Sequence, residues 1–303
     1  MSDTLAEQKS TPRFKISGNY YRRTIQLAVK LLGKYRERLN QINVYPVPDG
    51  DTGNNLYLTI KGIWDDIKHV RSRDFGKIAR LISDSALKNA QGNSGNILAM
   101  FLYGIYDYSR DKKYLLPEDL VYAFEKGLEH AYSAVENPRE GTILTAMRVT
   151  VETAKKEIEN GYRDYKKILK KCIDVSIEEL RKSKVNIPQL VEYDVIDAGG
   201  LGFVILLQAW TDDVKEELIL KLTQKKIEVK LTGQYCVNIM LKIEENKIEE
   251  LKQFLETVSN SIVLKKISDK VKLHFHCAIE AFDDIMMKIF DLGEVVSQQV
   301  SLA

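Results

Sequence analysis

The chain has 303 residues, 44% of them hydrophobic, with 45 Lys and Arg against 43 Asp and Glu for a net charge of +2. That length suffices for two ordinary domains with separate cores, and the even charge balance gives no argument for a nucleic-acid-binding or membrane-surface protein, local patches aside. The start "MSDTLAEQKSTPRF" has no apolar core or basic head and is not a signal peptide, and the longest apolar run, Leu201–Trp210, is too short to insert through a bilayer. Three widely spaced cysteines make no disulfide framework, which fits a reducing cytoplasm.

The first two-thirds reads as helix after helix. Tyr21, Ile25, Ala28, Leu32, Tyr35 and Leu39 step by three and four behind a capping Ser17. Leu56, Ile60, Ile63 and Ile67 repeat the spacing. Further helical patterns cover Phe75–Ala90, Asn96–Tyr108, Glu118–Val135, Thr142–Glu159, Asp164–Lys182 and Gly200–Asp212, with Pro117 suited to a first turn. About eight helices with short connections predict an up-and-down helical assembly. The pattern then changes. "LILKLTQKKIEVKLTGQYCVNIMLKI" is strand-like with "TGQ" as its turn, "IEELKQFLETV" is helical, "SIVLKKISDKVKLHFHC" reads as two strands, and "AFDDIMMKIFDLG" as a helix. The order β-β-α-β-β-α predicts a small α/β domain over residues 217–303.

Between the first two helices lies "VYPVPDGDTGNN". Pro48 stiffens the chain, and Gly50 and Gly53 permit close backbone approach. Asp49 and Asp51 are then placed to face one point, with Asn43 nearby. Grouped hard oxygens on a rigid loop suit Mg²⁺, whose shell substrate phosphate oxygens complete; a plain helix-capping turn is the other reading. "QGNSGN" puts Gly92, Ser94 and Gly95 at a helix start, where backbone N–H groups make an anion site. "EGTILTAM" does so with Gly141 and Thr142, and "DAGGLG" with Asp197 to Gly202. Helix ends use glycine in any case, but three such starts beside a carboxylate loop fit a phosphate-and-metal site. None of them is a Walker A loop or a dinucleotide fingerprint.

"NVYPVPDGDTGNN", "LKNAQGNSGNIL", "EGTILTAM" and "DAGG", in this order, resemble the ATP-binding domain of bacterial fatty acid kinase A subunits and, more distantly, the L subunit of dihydroxyacetone kinase. The resemblance covers roughly residues 15–215. It implies an eight-helix barrel that holds ATP at one end through Mg²⁺. By the same match Asp49 and Asp51 are the acidic metal ligands, and Asn43 stands nearest a third position that is Asp in the kinase relatives. Thr52, Gly53, Asn54, Asn55, Asn93 and Ser94 would contact nucleotide, and Gly141, Thr142, Asp197, Ala198 and Gly199 would line the rest of the pocket. The dihydroxyacetone kinase relatives also carry an arginine shortly before the last motif; "IPQLVEYDVIDAGG" has none.

In the C-terminal part, His274 and His276 lie two apart on a strand and share a face, while Phe275 and Cys277 share the other. With Cys236 on a preceding strand, two imidazoles and a thiolate suit Zn²⁺; an ordinary buried cysteine with two polar-face histidines is the alternative. The same resemblance favours the metal, since the middle domain of fatty acid kinase A subunits carries a similar Cys and His-x-His associated with zinc. Cys172 reads as a buried helix residue.

The resemblance implies ATP- and Mg²⁺-dependent phosphoryl transfer to the carboxylate of a fatty acid presented by a separate fatty-acid-binding protein, giving an acyl phosphate. It also implies a third domain that docks that partner, whereas this chain ends soon after the second. Two alternatives stay open: a small-molecule kinase subunit of the dihydroxyacetone type, and a non-catalytic nucleotide-binding or scaffold subunit. The residues leave the oligomeric state open, a homodimer included.

Overall fold

The computed structural model describes residues 15–135, 137–225, 227, 233–267 and 269–302. The helical part follows from the apolar spacing. A short strand β1 (Ile16–Ser17) runs into α1 (Gly18–Asn40), where the Ser17 side chain accepts from the Tyr20 N–H and the predicted stripe from Tyr21 to Leu39 is buried. Then come α2 (Thr52–Ile67), α3 (Phe75–Asn89), α4 (Gly92–Ser109), β2 (Tyr114–Leu115), α5 (Pro117–Ser133), α6 (Ile143–Glu159), α7 (Tyr165–Ser183), the short α8 (Pro188–Tyr193), α9 (Ala198–Gln208) and α10 (Glu216–Leu222). Strand β2 pairs antiparallel with β1. Successive helices from α1 to α7 pack side by side, and α9 closes the ring against α7 and α1. Every residue of α9 is buried, so the most apolar run of the sequence is a core helix, as all-round hydrophobicity requires. Among the described residues, no helix is long and apolar enough to cross a membrane.

The C-terminal part contains β3 (Gln234–Ile243), α11 (Ile248–Val258), β4 (Asn260–Ile267), β5 (Lys270–Ala278), α12 (Phe282–Leu292) and β6 (Gly293–Leu302). Its sheet has the order β4-β5-β3-β6, all antiparallel. The element order is therefore β-α-β-β-α-β, a ferredoxin-like arrangement, and two sequence expectations are corrected. "LILKL" does not open a strand but belongs to α10, with Glu216 and Glu217 in its first turn and Ile219 buried in the helical core; carboxylates at a helix start are favourable, and packing onto the barrel overrides β propensity. Of the rest of that expected strand, residues 223–225 and 227 are not in a strand, and residues 226 and 228–232 lie outside the described residues. The last strand, β6, went unpredicted because "VSQQVS" has no apolar alternation; β3 supplies its pairing.

One face of the sheet buries Val237, Ile239, Leu241, Leu273, Phe275 and Cys277 against α11 and α12, a separate core. The other face turns to the barrel. Val263 of β4 is part of the helical core and forms an isolated antiparallel bridge with Val135, just beyond α5. Cys236, Asn238, His274 and His276 are buried on this barrel-facing side.

Candidate functional site

The loop from Asn43 to Thr52 is held by its own first residue. Asn43 is buried; its carbonyl oxygen accepts from the backbone N–H of Asp51 (3.2 Å) and Thr52 (2.8 Å), and its amide nitrogen donates to the Val47 carbonyl at 3.2 Å. Both acceptor sites of that oxygen are thereby committed. Asn43 is thus a brace for the loop, and the oxygen it was expected to offer a metal is shared between two backbone N–H groups. The loop it braces holds Asp49 and Asp51 together. Burial, then the neighbouring Asp51 carboxylate, pushes Asp49 up to about 8. Two carboxylates sharing one site resist joint ionisation, and a divalent cation relieves that repulsion.

Beyond the loop the chain enters α2 at Thr52, which is buried. Gly53 is there for packing: a side chain on it would run into the Arg36 carbonyl oxygen and lie 2.7 Å from Asn40 Oδ1. The Asn54 N–H donates to the same Asn40 oxygen at 3.1 Å. Asn55 lies against Gly92, whose φ of 58° is in the left-handed region. Gly95 lies beside Thr59 Oγ1, which also accepts from the Gln91 N–H at 3.0 Å. The aspartate loop, the start of α2 and the glycine turn opening α4 therefore form one packed unit.

Two further helix starts meet this unit. Thr142 caps α6, accepting from the Leu144 N–H, after Gly141 at φ 95°. Asp197 caps α9, accepting from the Gly200 N–H at 2.6 Å, and burial pushes its carboxyl up to about 7. Ala198 is buried, and a side chain on Gly199 would lie 2.9 Å from Ser94 Oγ. A cavity of about 540 Å³ opens here. Asn93, Ser94, Thr142 and Asp197 of the expected set line it. Asp49 and Asp51 are not among its described lining residues, although Tyr45 and Pro46 of the same loop are.

The C-terminal part supplies the opposite wall, through Glu256 of α11, Ser259 just beyond it, and Ile262 and Val263 of β4. None of these was expected from sequence; only the tertiary packing of β4 on the barrel brings them there. Arg139, which precedes the "EGT" motif, also lines the cavity, as the single basic residue among those described.

Next to the aspartate loop sits the sheet's polar cluster. Cross-strand register places Cys236 opposite His276 and Asn238 opposite His274. One ligand-type atom from each of Cys236, His274 and His276 lies within 4.8 Å of the others. Burial, with His276 and Lys272 adding to it, drives His274 well below its usual imidazole value. Burial also lowers His276, opposed by the charge of Asp51. Both rings are therefore neutral and carry lone pairs, and the buried His274 Nε2 and His276 Nδ1 have no hydrogen-bond partner. A thiol and two unsatisfied neutral imidazoles fit a metal that takes nitrogen and sulfur. Cys277 packs with Phe275 on the opposite face, and Cys172 is buried in α7 with its thiol on the Thr150 carbonyl. Asn238 was readable from strand alternation, being two residues from Cys236; Asn96, which bonds to it, gave no signal.

The DAK2 domain family matches residues 46–212, and the middle domain of the fatty acid kinase A-subunit-like family matches residues 232–302. The chain is 27% identical over 290 residues to an uncharacterized protein of Staphylococcus epidermidis, covering 86% of this chain and 51% of the relative. It is 26% identical over 309 residues to one of Staphylococcus aureus, covering 95% and 55%. The chain thus spans about half the length of these relatives. A dihydroxyacetone kinase from C. freundii, solved with AMP-PNP and Mg²⁺, is similar in fold, with a TM-score of 0.50 and 14% identity over 70% of this chain and 37% of that one. With its barrel matched by one model and its sheet by the other, the chain belongs to the DAK2 domain family, in the group that carries a fatty acid kinase A-subunit-like middle domain.

Proposed function

We propose that this chain is the ATP- and Mg²⁺-binding part of a cytoplasmic kinase that phosphorylates the carboxylate of a fatty acid presented by a separate fatty-acid-binding protein. In this reading residues 15–215 are the nucleotide unit and residues 217–303 the middle unit. The observation that carries it is the pairing of Asp49 and Asp51 beside a cavity onto which the starts of α4, α6 and α9 converge.

Phosphoryl transfer asks a protein for positioning and charge stabilisation more than for covalent chemistry. Magnesium, when bound, neutralises phosphate charge and fixes the phosphate oxygens for in-line attack. Asp49 and Asp51 hold it; Asn43 keeps both in place through the loop backbone. Ser94 and the N–H groups at the start of α4 face the phosphates, and Asp197 and Thr142 keep the adjoining helix starts in register. A fatty acid carboxylate is ionised at neutral pH and attacks without a general base. In the sheet unit, Cys236, His274 and His276, whose ligand-type atoms lie within 4.8 Å of one another, would hold Zn²⁺.

Calorimetric titration of ATP, with and without Mg²⁺, tests the nucleotide site on the wild type and on Asp51→Ala. The expected result is Mg²⁺-dependent binding that the variant loses by at least about tenfold, ~1.4 kcal/mol. Trapping of acyl phosphate as a hydroxamate, with a fatty-acid-loaded binding protein supplied, then tests the transfer. Equal ATP affinity in both proteins sinks the metal-loop reading, and tight binding without transfer favours a non-catalytic role.

A further inference from the structure

The hydrogen bonds joining the two domains have a direction, and it can be read from one atom. Asn96 of α4 has its amide nitrogen 2.7 Å from the Gly92 carbonyl oxygen and 2.8 Å from the side-chain oxygen of Asn238 in β3. A backbone carbonyl only accepts, so the atom of Asn96 facing it is the nitrogen, and this fixes the amide orientation. The second hydrogen of that nitrogen requires an acceptor, so the facing atom of Asn238 is its oxygen. The remaining amide nitrogen of Asn238 then points to the Cys236 sulfur, 3.9 Å away. The same Asn238 oxygen lies 3.1 Å from His274 Nδ1, a far shorter contact than the 4.0 Å from that nitrogen to the Cys236 sulfur, and an amide oxygen can only accept. That nitrogen therefore carries the ring hydrogen, and the Nε2 lone pair is left free in the buried cluster. Asn96, Asn238 and His274 are all buried, so water does not compete along the line.

We propose that Asn96 and Asn238 are positioning residues that fix the tautomer of His274, coupling the glycine turn at the start of α4 to metal binding by Cys236, His274 and His276. The proposal rests on the reading of that cluster as a zinc site and of the turn as a phosphate site. Partners that set the tautomer of a metal-binding histidine govern its affinity. Here the setting originates in the other domain, at the carbonyl of Gly92, a residue in the left-handed conformation and packed on Asn55. A nucleotide that shifts this turn shifts the anchor of the line. Linkage then requires zinc to alter nucleotide affinity by the same factor.

The test uses the whole chain. Imidazole ¹⁵N spectra of the metal-free wild type are expected to show His274 protonated at Nδ1. Zinc affinity, measured against a competing chelator, is expected to fall about 10- to 100-fold in Asn96→Ala, although Asn96 touches no ligand atom. Asn238→Leu is expected to lose as much, whereas Asn238→Asp, which still accepts from Nδ1, retains the affinity. Saturating Mg²⁺–AMP-PNP is expected to change zinc affinity in the wild type and not in Asn96→Ala. Protonation of His274 at Nε2 in the wild type, or unchanged zinc affinity in Asn96→Ala, overturns the proposal. If Asn238→Leu does not fold, those two measurements still decide it. A wild type that takes up no zinc overturns the coupling and the zinc reading together, while nucleotide binding without any response to zinc overturns the coupling alone.

Discussion

Asp51, at the start of α2, lies close enough to His276 of β5 for its negative charge to raise the proton affinity of an imidazole that burial otherwise lowers. The carboxylate loop of the barrel and the Cys/His cluster of the sheet thus meet at one junction, although Asp51 and Cys236 are 185 positions apart in sequence. The Asn96–Asn238 hydrogen bond lies at the same junction, and β4 extends the cavity wall beside it. The sheet is therefore part of the site and not an appendage to the barrel.

Asp49 gives the first prediction. Its carboxyl is raised to about 8 by burial and by Asp51, so the folded state holds its proton more tightly than the unfolded chain does. The sign follows from linkage: this group's contribution to stability is full below the ordinary carboxylate range and is lost as pH rises towards 8. Asp49→Asn removes the charge while keeping the shape. Without metal at pH 8.5 the variant is expected to melt higher than the wild type, by about 2–4 °C for each kcal/mol of relieved repulsion, and to match it near pH 4. It is also expected to lose Mg²⁺-dependent ATP binding. Calorimetry of both proteins at the two pH values checks the pair of effects, and a variant no more stable than the wild type at pH 8.5 contradicts the paired-carboxylate account.

With Mg²⁺ held by Asp49 and Asp51 as proposed, proton and metal compete for the same pair, which gives the second. Burial and the Asp51 carboxylate favour the protonated form of Asp49, so a cation must displace that proton. Magnesium affinity is therefore expected to rise with pH, by up to about tenfold per unit between pH 6 and 8, and to level off above. Titrations with Mg²⁺ at fixed nucleotide concentration read the slope. A flat profile over that range means that Asp49 is not displaced by the ion.

How much of this was legible beforehand depended on where the information sat. The apolar stripe of α1, the Ser17 cap and the split of Phe275 and Cys277 from the two histidines follow local periodicity, and the structure reproduces them. The pairing of Cys236 with His276 needed the register of β3 on β5, which alternation alone does not give. The β6 strand and the Ile262–Val263 wall of the cavity exist only through tertiary packing. The role of Asn43 turned on which atoms its amide faces, which no motif states.

Gly53 gives the third. Its place in "DGDTGNN" invited a nucleotide-contact reading, but a side chain there collides with the Arg36 carbonyl and crowds Asn40. Gly53→Ala is expected to cost about 1–3 kcal/mol through overpacking, pushing the start of α2 away from α1. Because Asp51 immediately precedes that helix, Mg²⁺-dependent ATP affinity is expected to fall with stability. Urea unfolding and ATP titration on the same variant test this; full stability with lost binding restores the direct-contact role for Gly53.

The proposed zinc site gives the last. Cys236, His274 and His276 are buried, and removal of one ligand leaves too few for a stable tetrahedral site. Cys236→Ser, His274→Ala and His276→Ala are each expected to reduce metal content from about one zinc per chain to a small fraction of that. Zinc at a hundred times its dissociation constant is expected to stabilise the wild type by ~2.7 kcal/mol, and a chelator to remove that gain, with neither affecting the variants. Elemental analysis and melting curves with and without chelator measure both. Because Val263 anchors the sheet in the helical core and α4 packs on β3, β4 and β5, the chelator is also expected to increase hydrogen exchange along the sheet-facing side of α4. Wild-type metal content in the three variants leaves Cys236, His274 and His276 as a packed polar cluster with no metal to hold.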